Sequence, residues 1–267
     1  MHPNKRSVTT AGSEIKTLLR RLPTFAATLV RETLLFVYPQ LCAGCSQAFH
    51  SDESEPFCPD CFIALDLISE PYCPLCGIPF ATEKATSHLC GDCLGSVHRF
   101  ERARATGFYQ GPIREVIHRF KYGGQTFLAN PLARMLIGPG KELTQLHRID
   151  TIVPVPLHYK RLRQRGFNQA SLLARRLGSF LKIPVDYSSL KRTRWTDPQI
   201  GLSRKQRAAN VKDAFSLKAR EKIKGKGVLL LDDVLTTGET VNQCVRVLKK
   251  DGRAREVVVL TVARTVA

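Results

Sequence analysis

Residues 228–240 gather side chains whose types and order could bind a sugar phosphate. Val228, Leu229, Leu230 and Leu231 run straight into adjacent carboxylates at Asp232 and Asp233, and Thr236, Thr237, Gly238 and Thr240 follow. A continuous apolar run reads as a strand buried on both faces, as in a parallel sheet. The two aspartates then fall at its carboxyl end, where open α/β sheets bind ligands. Threonine hydroxyls and backbone N–H groups at the start of the next helix form a cradle for phosphate. Carboxylates for sugar hydroxyls beside an anion cradle describe a ribose 5-phosphate site. A core strand ending in an Asp-rich turn with a Thr cap explains any fragment of this run. It does not explain the whole, because each part stands where a sugar phosphate needs it.

Two more segments carry chemistry. Residues 153–169 leave an apolar strand for a loop with five positive side chains, from His158 to Arg165, and Gly166 follows. Arginine forks and backbone N–H groups in such a loop can hold pyrophosphate, with His158, Arg163, Arg165 and Gly166 as the candidates. A solvated basic turn is the plainer alternative. Residues 192–210 are polar and aperiodic, which suits a mobile lid whose cations Arg192, Arg194, Arg204 and Arg207 arrive with substrate. An exposed linker explains that segment as well.

Eight of the nine cysteines form four C-x-x-C pairs: Cys42 with Cys45, Cys58 with Cys61, Cys73 with Cys76, and Cys90 with Cys93. A two-residue spacer lets two thiolates bind one ion from a tight turn, and two such turns complete a tetrahedral zinc site. Two structural zinc ions held in series is the simplest assignment; a cross-brace joining the first and third pairs stays open. Disulfides are disfavoured by the intracellular look of the rest of the chain and the lack of a recognisable secretory signal. Cys244 stands apart and reads as a small core residue.

The elements that must position these groups follow from periodicity. A strand is expected over 104–109, helices over 112–120 and 126–135, and a short strand at 152–153. A helix over 169–181 leads to a strand over 182–185, a helix over 203–212 and a strand over 214–217. The motif strand at 228–232 precedes a helix over 238–250 and a last strand over 256–262. Such alternation predicts a mostly parallel, five-stranded sheet with helices on both faces.

Charge divides the chain. Residues 1–38 carry net +4, residues 39–97 carry −7 and residues 98–267 carry +21. That partition suggests an N-terminal helical segment, a zinc module and a basic α/β domain. A +21 domain attracts polyanions, and Trp195 offers a ring for base stacking within one basic cluster. The apolar repeat over 15–37 is interrupted by Arg31 and Glu32 and falls short of the ~20 residues a membrane span needs. It reads as a packed amphipathic helix, with a membrane-surface helix as the alternative. The expected location is cytoplasmic, with peripheral membrane contact left open.

Residues 228–240 resemble the phosphoribosyl-pyrophosphate (PRPP) signature of type I phosphoribosyltransferases. The whole assembly resembles the ComF family: a double zinc ribbon, then a phosphoribosyltransferase-like domain. The resemblance rests on Leu41, Cys42, Gly44 and Cys45; on the run from Phe120 to Gly124; on Val153 to Pro156 with Arg165 to Gln169; and on residues 228–240. It implies a type I phosphoribosyltransferase fold, PRPP binding with magnesium, and a role in taking up single-stranded DNA during natural transformation. Carried over, Asp232 and Asp233 hold the ribose hydroxyls, and Thr236, Thr237, Gly238 and Thr240 hold the 5′-phosphate. Glu239 fits awkwardly, since a carboxylate repels phosphate. No residue identifies a nucleophile, so a salvage phosphoribosyltransferase and a non-catalytic PRPP-responsive sensor, docking partner proteins through the zinc module, stand as alternatives.

Overall fold

Apolar residues in an unbroken row need cover on both faces, and a parallel sheet supplies it for residues 228–231. The computed structural model describes residues 40–49, 56–80, 86–95, 98–196 and 210–265. The chain divides into two compact units, Met1–Cys58 and Pro59–Ala267. The expected helical segment over 1–38 lies outside the described residues. So does most of the helix expected over 203–212.

In the first unit a tight turn sets Leu41 opposite Ala48 in an isolated antiparallel bridge. The second unit begins with two short helices, α1 (Pro59–Ile63) and α2 (Gly91–Gly95). Then follow β1 (Arg102–Phe108), α3 (Gly111–Tyr122), α4 (Ala129–Met135), α5 (Ile137–Leu146), β2 (Thr151–Pro154), α6 (Tyr159–Arg165) and α7 (Gln169–Leu181). The remainder is β3 (Leu190–Arg192), β4 (Phe215–Leu217), β5 (Gly227–Leu235), α8 (Glu239–Lys250) and β6 (Glu256–Arg264).

β1, β6, β5 and β2 form one sheet in that order, every pair parallel. The strand expected over 182–185 is reduced to one parallel bridge, Val185 to Ile152. Lys182 takes a left-handed conformation (φ 57°) to close α7, and Pro184 has no N–H to give a ladder. α8 covers one face of the sheet: Val241, Cys244, Val245 and Leu248 recur at helical spacing and pack against Val228, Leu230, Val257 and Val259. On the other face α7 packs against β2 and β5, and α5 against β1 and β6. β3 and β4 pair separately as an antiparallel ribbon beside α8.

An open sheet leaves edges exposed, and the β1 edge is covered by the residues leading into the second pair of cysteine turns. Leu67 bridges Gly107 in antiparallel fashion. Ile68 N–H donates to the Thr106 carbonyl at 2.9 Å, and Ala103 N–H donates to the Leu75 carbonyl at 2.7 Å.

Candidate functional site

β5 runs three residues past the expected end of the motif strand, because β6 keeps pairing with it: Asp232 faces Thr261, Val234 faces Ala263 and Leu235 faces Arg264. Asp233 has no partner in the register with β6, and its carboxylate lies within side-chain hydrogen-bonding reach of that of Asp232. Val228 and Leu230 share the α8 side with Asp232, where Arg192 and Cys244 interact electrostatically with its carboxylate. Asp233 emerges on the side of α3, and Lys121, in the last turn of that helix, meets its Oδ2 at 2.7 Å.

The two acids differ accordingly. Burial, then the charge of Asp233, pushes the Asp232 carboxyl up to about 7, against a downward pull from Lys121. Its Oδ1 accepts the Asp233 N–H at 2.9 Å. For Lys121, burial disfavours the ammonium, but adjacent Asp233 outweighs it and the pKa rises. Lys121 belongs to the quoted run from Phe120 to Gly124, yet nothing in sequence pairs a helix-borne lysine with an aspartate more than a hundred residues away.

Beyond β5, Thr236 and Thr237 are partly exposed and lead to Gly238, whose φ of 78° is left-handed and natural to glycine. Gly238 caps the N-terminus of α8, and Thr240 stands in its first turn beside Glu239. The Thr237 Oγ1 and Asn242 Oδ1 atoms are buried without a hydrogen-bond partner. The Asn242 amide lies beside Gly238, and so joins the cradle as a residue the motif did not single out. Buried polar atoms left unsatisfied at a helix N-terminus suit a ligand that completes them.

The expected basic loop at 158–165 is a helix instead. His158 is the N-cap of α6, its Nδ1 accepting the Lys160 N–H at 3.3 Å, and Gly166 closes the helix in the left-handed region with φ 83°. His158 is buried, lies edge-on to Trp195 at 5.4 Å between ring centroids and bonds the Thr193 backbone. Burial first, then Arg192, Lys160 and Arg161, lowers its pKa, so the ring is neutral at neutral pH. Arg165 donates to Gln169 Oε1 at 2.6 Å and lies over the Tyr122 ring at 5.1 Å, while Arg163 is exposed. The Phe120 and Phe167 rings lie tilted against each other nearby, 5.7 Å between centroids. The ends of α3 and α6 are thus neighbours.

Of the lid candidates, Arg192 bonds the Thr196 hydroxyl, and Arg194 donates to the Asn210 and Lys212 carbonyls at 2.9 and 2.6 Å. Arg192 ends β3 within the ribbon, and Arg194 follows it. Arg204 and Arg207 lie outside the described residues. Arg161 over Trp195 at 5.1 Å, and Lys160 at 5.9 Å, link α6 to this ribbon.

The cysteines gather in series: the ligand atoms of Cys42, Cys45, Cys58 and Cys61 lie within 4.8 Å of one another, and so do those of Cys73, Cys76, Cys90 and Cys93. Cys42 Sγ accepts backbone N–H bonds from Gly44 at 3.3 Å and Cys58 at 3.2 Å. Burial raises the Cys42 pKa, but such donors outweigh it and bring the thiol down to about 6. Cys73 falls likewise to about 7. Burial pushes Cys76 and Cys93 the other way. Four convergent sulfurs in each tetrad fit tetrahedral zinc, and two zinc sites follow from the two tetrads. Cys244 is buried in the core, as expected.

Comparison with known proteins agrees with this layout. The Double zinc ribbon domain family matches residues 33–94, and the Phosphoribosyl transferase domain family matches residues 162–265. Competence protein F of Haemophilus influenzae is 35% identical over 79% of this chain and 85% of its own length. The DNA utilization protein YhgH of Escherichia coli K12 is 33% identical over 85% of this chain and 91% of its own. Competence protein ComFC of Bacillus subtilis is 26% identical over 86% of this chain and 97% of its own.

Proposed function

The chain belongs to the competence protein F family, and from that premise we propose that its parallel sheet binds PRPP in the service of single-stranded DNA uptake and use. One juxtaposition carries the PRPP reading: the Asp232 carboxylate stands one short turn before the buried, unsatisfied Thr237 hydroxyl at the mouth of α8. Asp232 accepts the ribose hydroxyls; Thr236, Thr237, Gly238 and Thr240 hold the 5′-phosphate. Arg163, Arg165 and the backbone around His158 and Gly166 serve the pyrophosphate, and the arginines beside the ribbon close over it. By the family resemblance, magnesium would enter bound to the pyrophosphate. Its chemistry there is to neutralise phosphoryl charge. The zinc module, framed as 39–97, offers an acidic surface for a partner protein.

Calorimetric titration tests the reading. Magnesium PRPP should bind one per chain, and Asp232→Asn or Thr237→Val should weaken it at least tenfold, the scale of one charge-assisted hydrogen bond. Undiminished binding by both variants sinks the proposal. Pyrophosphate release with a nucleobase present would make the chain a salvage transferase; binding without release would leave PRPP as an effector.

The DNA reading rests on α6. Lys160 and Arg163 are exposed on it, Tyr159 is 59% exposed, and Tyr122 beside Arg165 is 62% exposed. Cations alternating with open rings form a stacking platform for unpaired bases. Affinity for a single-stranded oligonucleotide should fall steeply with salt, and Lys160→Ala with Arg163→Ala should flatten that slope. Salt-independent binding contradicts it.

A further inference from the structure

The ion pair at the head of β5 is poorly explained as a source of stability. Lys121 and Asp233 have side chains only 17% and 5% exposed, and a buried ion pair commonly does no better than a well-packed apolar pair. The pair is made across the sheet's carboxyl edge, by the last turn of α3 and the last residues of β5, beside the turn at 236–238. A ligand rich in phosphoryl charge must approach two adjacent carboxylates there, which repel it. Lys121 is the cation beside them: its Nζ lies 2.7 Å from Asp233 Oδ2, and the charge of Asp232 also favours its ammonium form.

We infer that Asp233 is a positioning residue for Lys121, whose ammonium meets a phosphoryl oxygen of the bound ligand, so that the two aspartates have unlike roles. The inference rests on the PRPP reading and refines it: Asp232 meets the sugar, and Asp233 acts through Lys121. A lysine suits the task, since its flexible stem lets one ammonium turn between a fixed carboxylate and an arriving phosphate.

A double-mutant cycle on the full chain decides the matter. Magnesium PRPP affinity is measured for wild type, Lys121→Met, Asp233→Asn and the double variant, with thermal melting of each as a check on folding. Lys121→Met should weaken binding roughly ten- to a hundredfold. Asp233→Asn should weaken it in the wild-type background and change nothing further in the Lys121→Met background. Equal losses in both backgrounds, or full affinity in Lys121→Met, overturn the inference while leaving PRPP binding intact. No binding by well-folded wild type overturns both. If Lys121→Met alone proves unstable, Lys121→Gln, which leaves a neutral donor beside Asp233, takes its place in the cycle. Titration with magnesium pyrophosphate and separately with ribose 5-phosphate assigns the contact: the ligand whose affinity Lys121→Met reduces is the one carrying the phosphoryl group it meets. Loss for neither ligand also overturns the inference.

Discussion

A carboxyl group shielded from water beside an ionised neighbour keeps its proton, and Asp232 does so up to about 7. In the unfolded chain the same group titrates near ~3.9. Between these values the folded protein binds more protons than the unfolded one, so Asp232 makes stability fall as pH rises from about 4 to about 7. Asp232→Asn should flatten that part of the profile in urea unfolding measured at several pH values; an unchanged slope contradicts the assignment. Ligand binding has the opposite sign. A sugar hydroxyl donates to a carboxylate, so PRPP affinity should climb with pH to about 7 and then level, with proton release visible in calorimetry in two buffers. The adjacency of Asp232 and Asp233 is plain in sequence, but their surroundings are not: Lys121 pairs with Asp233, while Arg192 and Cys244 stand by Asp232. The partner of Lys121 is set by where α3 ends over β5, a distance in space that periodicity does not carry.

Elements were legible where length and pattern were ample. Gln169–Leu181 shows Ala170, Leu173, Ala174 and Leu177 on one buried face, and its bounds match those expected. Helix α6 was read as a loop because its seven residues offer Leu162 as their one aliphatic side chain and no repeat to detect. Helix α5 was not anticipated, and its first turns hold Gly138, Pro139 and Gly140; proline is tolerated there because those N–H groups lack intrahelical partners. The junction of β5 and α8 depends on Gly238 adopting φ 78°. Gly238→Ala should destabilise by about 1–2 kcal/mol, the penalty of a side chain in the left-handed region. A melting midpoint lowered by roughly 2–8 °C is expected for a unit of this size, and an unshifted midpoint would show that the turn relaxes at no cost.

At the scale of the whole molecule, the charge partition separated an acidic cysteine module from a basic domain but gave no sign that the two are stitched together within Pro59–Ala267. The second tetrad contributes to the sheet. Leu75, between Cys73 and Cys76, packs against the core and accepts the Ala103 N–H, and Arg264 at the end of β6 donates to the Cys76 carbonyl at 2.6 Å. Arg104 donates to the Pro74 carbonyl at 3.2 Å and to Glu142 Oε1 at 2.8 Å, extending the tie to α5. A metal ion that fixes residues 73–76 therefore fixes the cover of the β1 edge as well. Metal analysis of the native chain should find two zinc ions, and Cys73→Ser should leave one. That variant should lose about 2 kcal/mol or more, a midpoint drop of roughly 4–8 °C. Its faster amide exchange should concentrate at Ala103 and Ile68, whose N–H groups bond across this seam. Exchange unchanged at both positions, with one zinc gone, would show that the sheet holds its edge without the metal.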